Sequence, residues 1–292
     1  MNDARPLLMD LTETAAVVCR SIVALGSLAV PTRFRFGPND GIPPIIGTGF
    51  VVDPRGVVMT AGHVARALSA LPKHPVTGKH GAVAILFTEP VRVGEGLEMK
   101  PLWVGVKGYS FLETFTTNEE IFYGEKVPDL GFVQLAIRDV PALSLCSEPN
   151  AIRMGLDVAF AGFPFGSDGL LLRIDDQPPM VVQATPFLRH GIVSSVHPFP
   201  CPEPHGFSID AISHGGASGS PIFRRDDPAV LGMLYAAFEG QGLTYALPGH
   251  LLHWAATAAL ADGTLNLNRV PSLNEYRTTG QGPDAWHSPE TG

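Results

Sequence analysis

Cysteine is scarce in this sequence: the 292 residues include only Cys19, Cys146 and Cys201. None of them belongs to a Cys-x-x-Cys pair, and three is a poor count for a disulfide framework, so we expect a cytoplasmic protein. Charged residues are also few, at 16%, and a net charge of −8 without a basic cluster argues against a nucleic-acid partner. Because no apolar run is long enough to span a bilayer, we expect no membrane partner.

Glycine and proline, by contrast, are abundant, with 32 and 27 residues. They divide the chain into short apolar runs rich in β-branched residues, and strands do not alternate with helices. This pattern predicts an all-β barrel or sandwich. The predicted strands are 17–25, a strand–turn–strand unit over 47–60, 82–87, 103–106, 131–137, 157–162, 180–184, 191–196, 206–209, 220–223, 230–235 and 243–247.

Helical patterns are few. They predict a short helix over 6–15, another over 63–71, and the best one over 248–260, which starts at a proline and is followed by a glycine. Residues 264–292 are polar and without periodicity, which predicts a flexible tail.

Three segments supply the residue types that nucleophilic catalysis by a serine requires. A serine hydroxyl is a weak nucleophile that needs a base within hydrogen-bond reach, histidine is the usual base, and a buried carboxylate fixes the imidazole tautomer. These requirements predict Ser218 as nucleophile, His63 as general base and Asp129 as the orienting acid. The segments are TAGHV at 60–64, PDLGFV at 128–133 and GGASGSP at 215–221.

The glycine-rich loop around Ser218 suits one further requirement, a set of hydrogen-bond donors for the developing oxyanion. Absent side chains let the backbone of such a loop bend and approach the substrate closely. We assign the two donors to the N–H groups of Gly216 and Ser218.

In this order along the chain, the segments resemble the trypsin-like peptidases, and within them the HtrA/Deg branch. The His, Asp, Ser order is that of the family, and the resemblance runs with gaps between residues 17 and 260. Further stretches that carry it are GTGFVV at 47–52, GFPFG at 162–166, GIVSS at 191–195 and SIDAI at 208–212.

The resemblance implies a chymotrypsin-like fold of two antiparallel six-stranded β-barrels, with the active site between them and a C-terminal helix. It implies a first barrel over 1–147 with His63 and Asp129, a second barrel plus helix over 148–263 with Ser218, and a tail over 264–292. It also implies a serine endopeptidase that forms an acyl-enzyme on Ser218, acts on a protein or peptide, and needs no cofactor or metal.

Two departures from the family pattern affect function. Ala217 stands where relatives carry Asn or Asp, so it cannot receive the new N-terminus that activates the zymogen-type relatives. Ile212 stands six residues before the nucleophile, where trypsin-like enzymes keep an Asp. A pocket formed by Ile212, Met233 and Leu234 should prefer an apolar P1 residue, because a charged one would lose its water without gaining a partner.

The resemblance is to an HtrA-like branch without a PDZ domain, because only about 30 residues follow the last helix, too few for that module. Two segments, 88–126 and 168–180, are longer than the family needs. Long loops beside an active site often bind partners, so both are candidate sites for an activating protein.

Alternative interpretations compete with these assignments. Asp157, Asp175 and Asp176 are rival acids, although their loop positions fit solvated carboxylates better. The segment 197–205 has metal-ligand residue types, but its spacing matches no common zinc pattern. The pair His250 and His253 has no third ligand.

Two other functions compete with the endopeptidase. One is a weakly catalytic or inactive protease-fold module that binds a protein or peptide partner, which Ala217 and the long segments motivate. The other is an esterase, since the same chemistry cleaves esters. However, the chain after Ser218 continues as a strand, not as the helix that follows the nucleophile of α/β-hydrolases.

Overall fold

A computed structural model of the protein describes residues 9–27, 45–73, 81–86, 90–93, 96–99, 102–111, 128–164, 171–172, 180–181, 186–238, 242–261 and 270–278. The strands are β1 (Ile22–Ser27), β2 (Ile45–Asp53), β3 (Val57–Thr60), β4 (Ala82–Leu86), β5 (Pro90–Val93), β6 (Gly96–Met99), β7 (Leu102–Phe111), β8 (Gly131–Leu135), β9 (Asp157–Gly162), β10 (Leu171–Leu172), β11 (Met180–Val181), β12 (Phe187–His197), β13 (Gly206–Asp210), β14 (Pro221–Arg224), β15 (Asp227–Phe238) and β16 (Leu243–Pro248). The helices are α1 (Leu11–Cys19), α2 (Gly62–Ser69), α3 (Gly249–Ala261) and α4 (Leu273–Thr278).

Most of the strands close two antiparallel barrels. The first barrel has the strand order β1-β2-β3-β8-β7-β4, and the second has the order β12-β13-β16-β15-β14-β9. The pairs β5–β6 and β10–β11 form separate two-stranded sheets. Two six-stranded antiparallel barrels followed by helix α3 are the chymotrypsin-like fold, so the predicted fold is confirmed.

Alternation along the strands explains how the barrels share one interface. In β1, Val23 and Leu25 point into the core of the first barrel, whereas Ile22 and Ala24 pack in the cluster between the barrels. Strand β9 alternates in the same way between the second barrel's core and the interface. Strands buried on both faces are continuous apolar runs, which is why the sequence predicts them well.

The N-terminal helix α1 packs against β9 and β15 of the second barrel, although it precedes the first barrel in the chain. A capping box fixes its start: the Asp10 carboxylate accepts the Glu13 amide (2.8 Å), and the Glu13 carboxylate accepts the Asp10 amide (3.1 Å). The predicted strand over 17–25 is therefore wrong at 17–19, which are helical. The domain bounds 1–147 and 148–263 stay a prediction.

The segment 270–278 packs on the first barrel. Its residues Leu273 and Tyr276 are buried in the core of that barrel, and Tyr276 Oη donates to the Trp103 carbonyl (2.7 Å). The predicted flexible tail over 264–292 is wrong for this segment, because its apolar side chains complete a core. The other residues of the predicted tail lie outside the described residues.

The predicted insertion over 88–126 contains a barrel strand. Residues 102–111 form β7, which pairs with β4 and β8, so this part belongs to the first barrel. Much of the rest of 88–126, and most of 168–180, lies outside the described residues.

None of the described helices has the length and hydrophobicity that a transmembrane span requires.

Candidate active site

His63 lies in the first turn of α2, directly after β3. The N-cap residue of this helix is Ala61, which offers no side-chain cap. Asp129 supplies the missing acceptor from another part of the chain: Oδ1 accepts the His63 amide (2.8 Å), and Oδ2 lies 2.6 Å from His63 Nδ1. A carboxylate is favourable at a helix N-terminus, where N–H groups are unpaired. The same carboxylate therefore fixes both the backbone and the ring of His63.

Strand pairing explains why Asp129 meets His63. Strands β3 and β8 are antiparallel, with Thr60 opposite Gly131. Continuing this register places Gly62 opposite Asp129, and a Cβ built on Gly62 would lie 2.8 Å from Asp129 Oδ1. Glycine at position 62 therefore leaves room for the carboxylate.

The His63–Asp129 pair is arranged for base catalysis. Because an ionised carboxylate only accepts hydrogen bonds, Nδ1 carries the proton and Nε2 of the neutral ring keeps a lone pair. The Asp129 side chain is 19% exposed and the His63 side chain 49% exposed. The carboxylate is thus shielded, whereas the ring reaches solvent.

Tyr235 lies close to this pair, and sequence reasoning missed it. Its side chain is half-buried between the barrels. Burial raises the pKa of Tyr235, and the charges of Asp129 and Tyr245 raise it further. The phenol therefore stays protonated and presents no second negative charge to Asp129.

Ser218 follows a tight turn between β13 and β14. The Ala217 amide donates to the His214 carbonyl (3.0 Å), and Gly216, the third residue of the turn, has a φ of +93°. These are features of a type II turn, whose third residue favours glycine. The Ser220 amide donates back to the Ala217 carbonyl (2.9 Å). The first turn therefore ends at Ala217, and Ser218 is the second residue of the next turn, which runs from Ala217 to Ser220.

Strand β2 of the first barrel contacts the Ser218 loop. The Thr48 amide donates to the Ser218 carbonyl (2.9 Å). A Cβ built on Gly47 would lie 2.6 Å from a Val64 methyl and 3.2 Å from the Ser218 carbonyl oxygen. Since Val64 follows His63, the structure brings the Ser218 loop next to the start of α2.

Within the described residues, no hydrogen bond joins Ser218 Oγ to the His63 ring. Such bonds are often long or misaligned in free enzymes and tighten with substrate. The structure thus pairs two of the predicted residues directly and brings the loop of the third next to them.

The two predicted oxyanion donors have no acceptor among the residues that the structure describes. Neither the Gly216 amide nor the Ser218 amide donates a hydrogen bond there, although both carbonyls accept one from Thr48. Two free backbone N–H groups beside a serine match what oxyanion binding requires.

The three predicted pocket residues do not lie together. Ile212 is 57% exposed, whereas Met233 and Leu234 are 0% and 1% exposed. Met233 packs between the barrels, and Leu234 packs inside the second barrel. Because both side chains are fully buried in apolar clusters, neither can line an open pocket, and the prediction is wrong for Met233 and Leu234.

Ser213, which follows Ile212 in the chain, forms a buried hydroxyl pair with Thr244, and sequence reasoning missed this pair. Thr244 Oγ1 lies 3.0 Å from Ser213 Oγ and 2.7 Å from the Ala211 carbonyl oxygen. Isolated Ser and Thr residues carry no sequence signal for such a pairing.

The hairpin 197–205 carries two histidines, His197 and His205. The His197 ring stacks on Tyr245, with centroids 6.0 Å apart. The pKa of the nearby His250 is lowered, mainly because the ring is buried. The Glu203 carboxylate partly opposes this shift, and His205 adds to it. In the part of the chain that the structure covers, no three His, Cys, Asp or Glu side chains could hold a metal ion.

A model of the trypsin-like peptidase domain matches residues 47–233, which is more than half of the chain and includes His63, Asp129 and Ser218. The chain therefore belongs to the trypsin-like peptidase family, a class of proteases. No curated protein sequence gives a significant match.

Solved HtrA-type structures are similar to the chain. The HtrA-type protease AlgW with a decapeptide gives a TM-score of 0.53 at 15% identity, covering 87% of this chain and 69% of that chain. A variant of AlgW with a decapeptide gives 0.53 at 16% identity, covering 88% and 68%. Deg5 gives 0.50 at 17% identity, covering 83% and 90%. At such identities the similarity shows the fold alone, the double β-barrel of the trypsin-like peptidases.

A side chain at Gly219 in the Ser218 loop would collide with the first barrel. The φ of Gly219 is +89°, and a Cβ there would lie 2.0 Å from the Thr48 carbonyl oxygen and 2.4 Å from Thr60 Oγ1. We expect Gly219→Ala to lower the free energy of unfolding by about 3–5 kcal/mol, from backbone strain and overpacking together. Urea unfolding measures this change.

Gly215→Ala is the matched control, because a Cβ at Gly215 meets nothing within 4 Å. We expect it to change the free energy of unfolding by less than about 0.5 kcal/mol. Equal stability of the two variants would contradict the described conformation of the loop.

Proposed function

We propose that the protein is a serine endopeptidase in which Ser218 is the nucleophile, His63 the general base and Asp129 the residue that orients His63. The observation that carries the proposal is the pair of hydrogen bonds from the amide and Nδ1 of His63 to the two oxygens of Asp129. They keep the proton on Nδ1 and leave Nε2 free to accept one.

In the first half of the reaction, Ser218 Oγ attacks the carbonyl carbon of the scissile peptide bond while His63 Nε2 takes the hydroxyl proton. The carbonyl π electrons move to oxygen, and the N–H groups of Gly216 and Ser218 bind the oxyanion. When the intermediate collapses, the C–N bond breaks and the imidazolium gives its proton to the leaving amine. The acyl group remains as an ester on Ser218.

In the second half, His63 Nε2 takes a proton from water as the water oxygen attacks the ester carbon. The same two N–H groups bind the second oxyanion. Collapse breaks the bond to Ser218 Oγ, which recovers its proton from His63. The product is a carboxylic acid, and the enzyme returns to its starting state.

The decisive experiment is labelling of the full chain with a fluorophosphonate probe, followed by mass spectrometry of the labelled peptide. The probe should attach to Ser218, because phosphonylation needs an activated serine and donors for its oxygen. Ser220→Ala is a matched control two residues away. Its hydroxyl is buried and has no hydrogen-bond partner within the described residues, so its removal should leave labelling intact.

Two outcomes would count against the proposal. Labelling at another serine would give the nucleophile role to that residue. A folded protein that neither takes the label nor cleaves a peptide library would favour the protein-binding module over the peptidase.

We further propose a preference for an apolar P1 residue. Ile212 is exposed at the position next to the buried Ser213 and Thr244 hydroxyls, and none of the three carries a charge. A charged P1 side chain would lose its water there without a charged partner.

Digestion of a peptide library tests this preference independently of the mechanism. We expect cleavage after Leu, Phe, Met or Val. Cleavage mainly after Arg, Lys or Glu would reject the preference while leaving the endopeptidase proposal intact.

A further inference from the structure

Thr48, in strand β2 of the first barrel, makes two hydrogen bonds to the Ser218 loop of the second barrel. Its amide donates to the Ser218 carbonyl (2.9 Å), and its Oγ1 donates to the Gly216 carbonyl (2.8 Å). These are the carbonyls of the two residues whose N–H groups are the proposed oxyanion donors. The backbone and the side chain of Thr48 therefore hold the two ends of the segment 216–218.

The direction of the Thr48 hydroxyl is fixed. Its oxygen accepts the Phe163 amide (3.0 Å), at the end of β9. A threonine hydroxyl has a single hydrogen, so that hydrogen is left for the Gly216 carbonyl. The Thr48 side chain thus connects the nucleophile loop to a barrel strand instead of rotating between partners.

Thr48 is itself held in place. Its carbonyl accepts from Thr60 Oγ1 (2.6 Å), and Thr60 ends the strand that leads to His63. Both threonines are 0% exposed. Strand β3, which leads to His63, and the loop that carries Ser218 are therefore both hydrogen-bonded to the buried Thr48.

The surrounding glycines match this arrangement. A Cβ on Gly219 would meet the Thr48 carbonyl at 2.0 Å, and one on Gly162 would meet Thr48 Oγ1 at 2.9 Å. The backbone of both neighbours thus approaches Thr48 as closely as only glycine allows. Thr48 is 0% exposed, so bulk solvent does not reach its hydroxyl.

We infer that Thr48 is a positioning residue that sets the oxyanion-binding segment 216–218 in register with His63. This inference rests on the proposed serine peptidase function. Thr48 is fully buried, so it acts through the carbonyls of Gly216 and Ser218 and not on the substrate. Loss of its hydroxyl removes the hydrogen bond that holds the Gly216 carbonyl, and the segment 216–218 is then free to shift.

The experiment compares Thr48→Val, which keeps the shape and loses the hydroxyl, with Thr48→Ser, which keeps the hydroxyl. Thr14→Val is the matched control: Thr14 is equally buried, lies in α1, and its hydroxyl has no partner within the described residues. Each full-length protein is measured for fluorophosphonate labelling rate, for kcat and KM on one peptide, for affinity to a peptide aldehyde, and for melting temperature.

We expect Thr48→Val to lower kcat and the labelling rate about 10- to 100-fold, less than the ~10²–10³-fold loss from removing a donor itself. Affinity for the aldehyde, which mimics the tetrahedral intermediate, should fall in parallel, while KM stays within about twofold. Thr48→Ser and Thr14→Val should remain within about threefold of wild type.

Three outcomes would overturn the inference. They are a Thr48→Val protein with wild-type kcat, a Thr48→Ser protein as impaired as Thr48→Val, and a loss of activity that only follows the unfolded fraction. Thr48→Ala, which removes the hydroxyl without crowding, replaces Thr48→Val if that protein does not fold. If wild type takes no label, the proposed function fails and this inference with it; if wild type is labelled and the hydroxyl has no effect, only the inference fails.

Discussion

Replacing Ser218 with alanine is expected to lower kcat for a peptide substrate by about six orders of magnitude. The change removes the atom that forms the acyl-enzyme, and His63 cannot compensate because it only moves protons. Free backbone N–H groups and substrate binding should leave a residual acceleration of about 10³–10⁴ over water. Hydrolysis of a fluorogenic peptide at high enzyme concentration measures this residual activity.

The Ser218→Ala protein should fold as well as wild type. Ser218 Oγ has no hydrogen bond within the described residues, so its loss should change the free energy of unfolding by less than about 0.5 kcal/mol. Peptidase activity within about tenfold of wild type in a correctly folded variant would contradict the nucleophile assignment, since no other group could supply the acyl bond.

Strands buried on both faces were the most predictable part of the fold. The run 157–162 is predicted with the bounds that β9 has, because glycine and proline residues interrupt the chain on both sides of an apolar segment. The three-segment constellation was predictable for a related reason. Each segment begins or ends at a strand, where the turn residues are characteristic.

The N-terminal helix shows where local composition misleads. Val17 and Val18 suggest a strand, yet they lie in α1, whose start is fixed by the Asp10–Glu13 capping box. That motif is visible in the sequence and outweighs the β-branched residues. Packing against the second barrel, which no local pattern reveals, then stabilises the helix.

The errors at the pocket and the omission of Thr48 have different causes. Met233 and Leu234 are consecutive on a strand, so alternation alone should have separated them. Thr48, by contrast, bonds to a carbonyl 168 residues further along the chain. Only the closure of two barrels against each other creates that contact, and one sequence carries no signal for it.

Replacing Asp129 with asparagine is expected to lower kcat by about four orders of magnitude with little change in fold. The asparagine carbonyl can still accept the His63 amide, as Oδ1 does now at 2.8 Å. Its NH₂ group then faces Nδ1, which must become the acceptor. The ring proton moves to Nε2, and the nitrogen that should take the Ser218 proton becomes a donor. Measurements of kcat and melting temperature separate the wrong tautomer from unfolding.

Another Asp–His pair among the described residues gives a matched control for Asp129→Asn. Asp157 Oδ1 lies 3.7 Å from His190 Nε2, and both side chains are about half exposed. Water competes for such a surface pair, and neither residue lies at the Ser218 loop, so Asp157→Asn should leave kcat within about twofold. If instead Asp157→Asn removed activity and Asp129→Asn did not, the orienting acid would be the rival carboxylate. The same chemical change at two Asp–His pairs thus separates a carboxylate that selects the tautomer of the base from one that only neighbours a histidine.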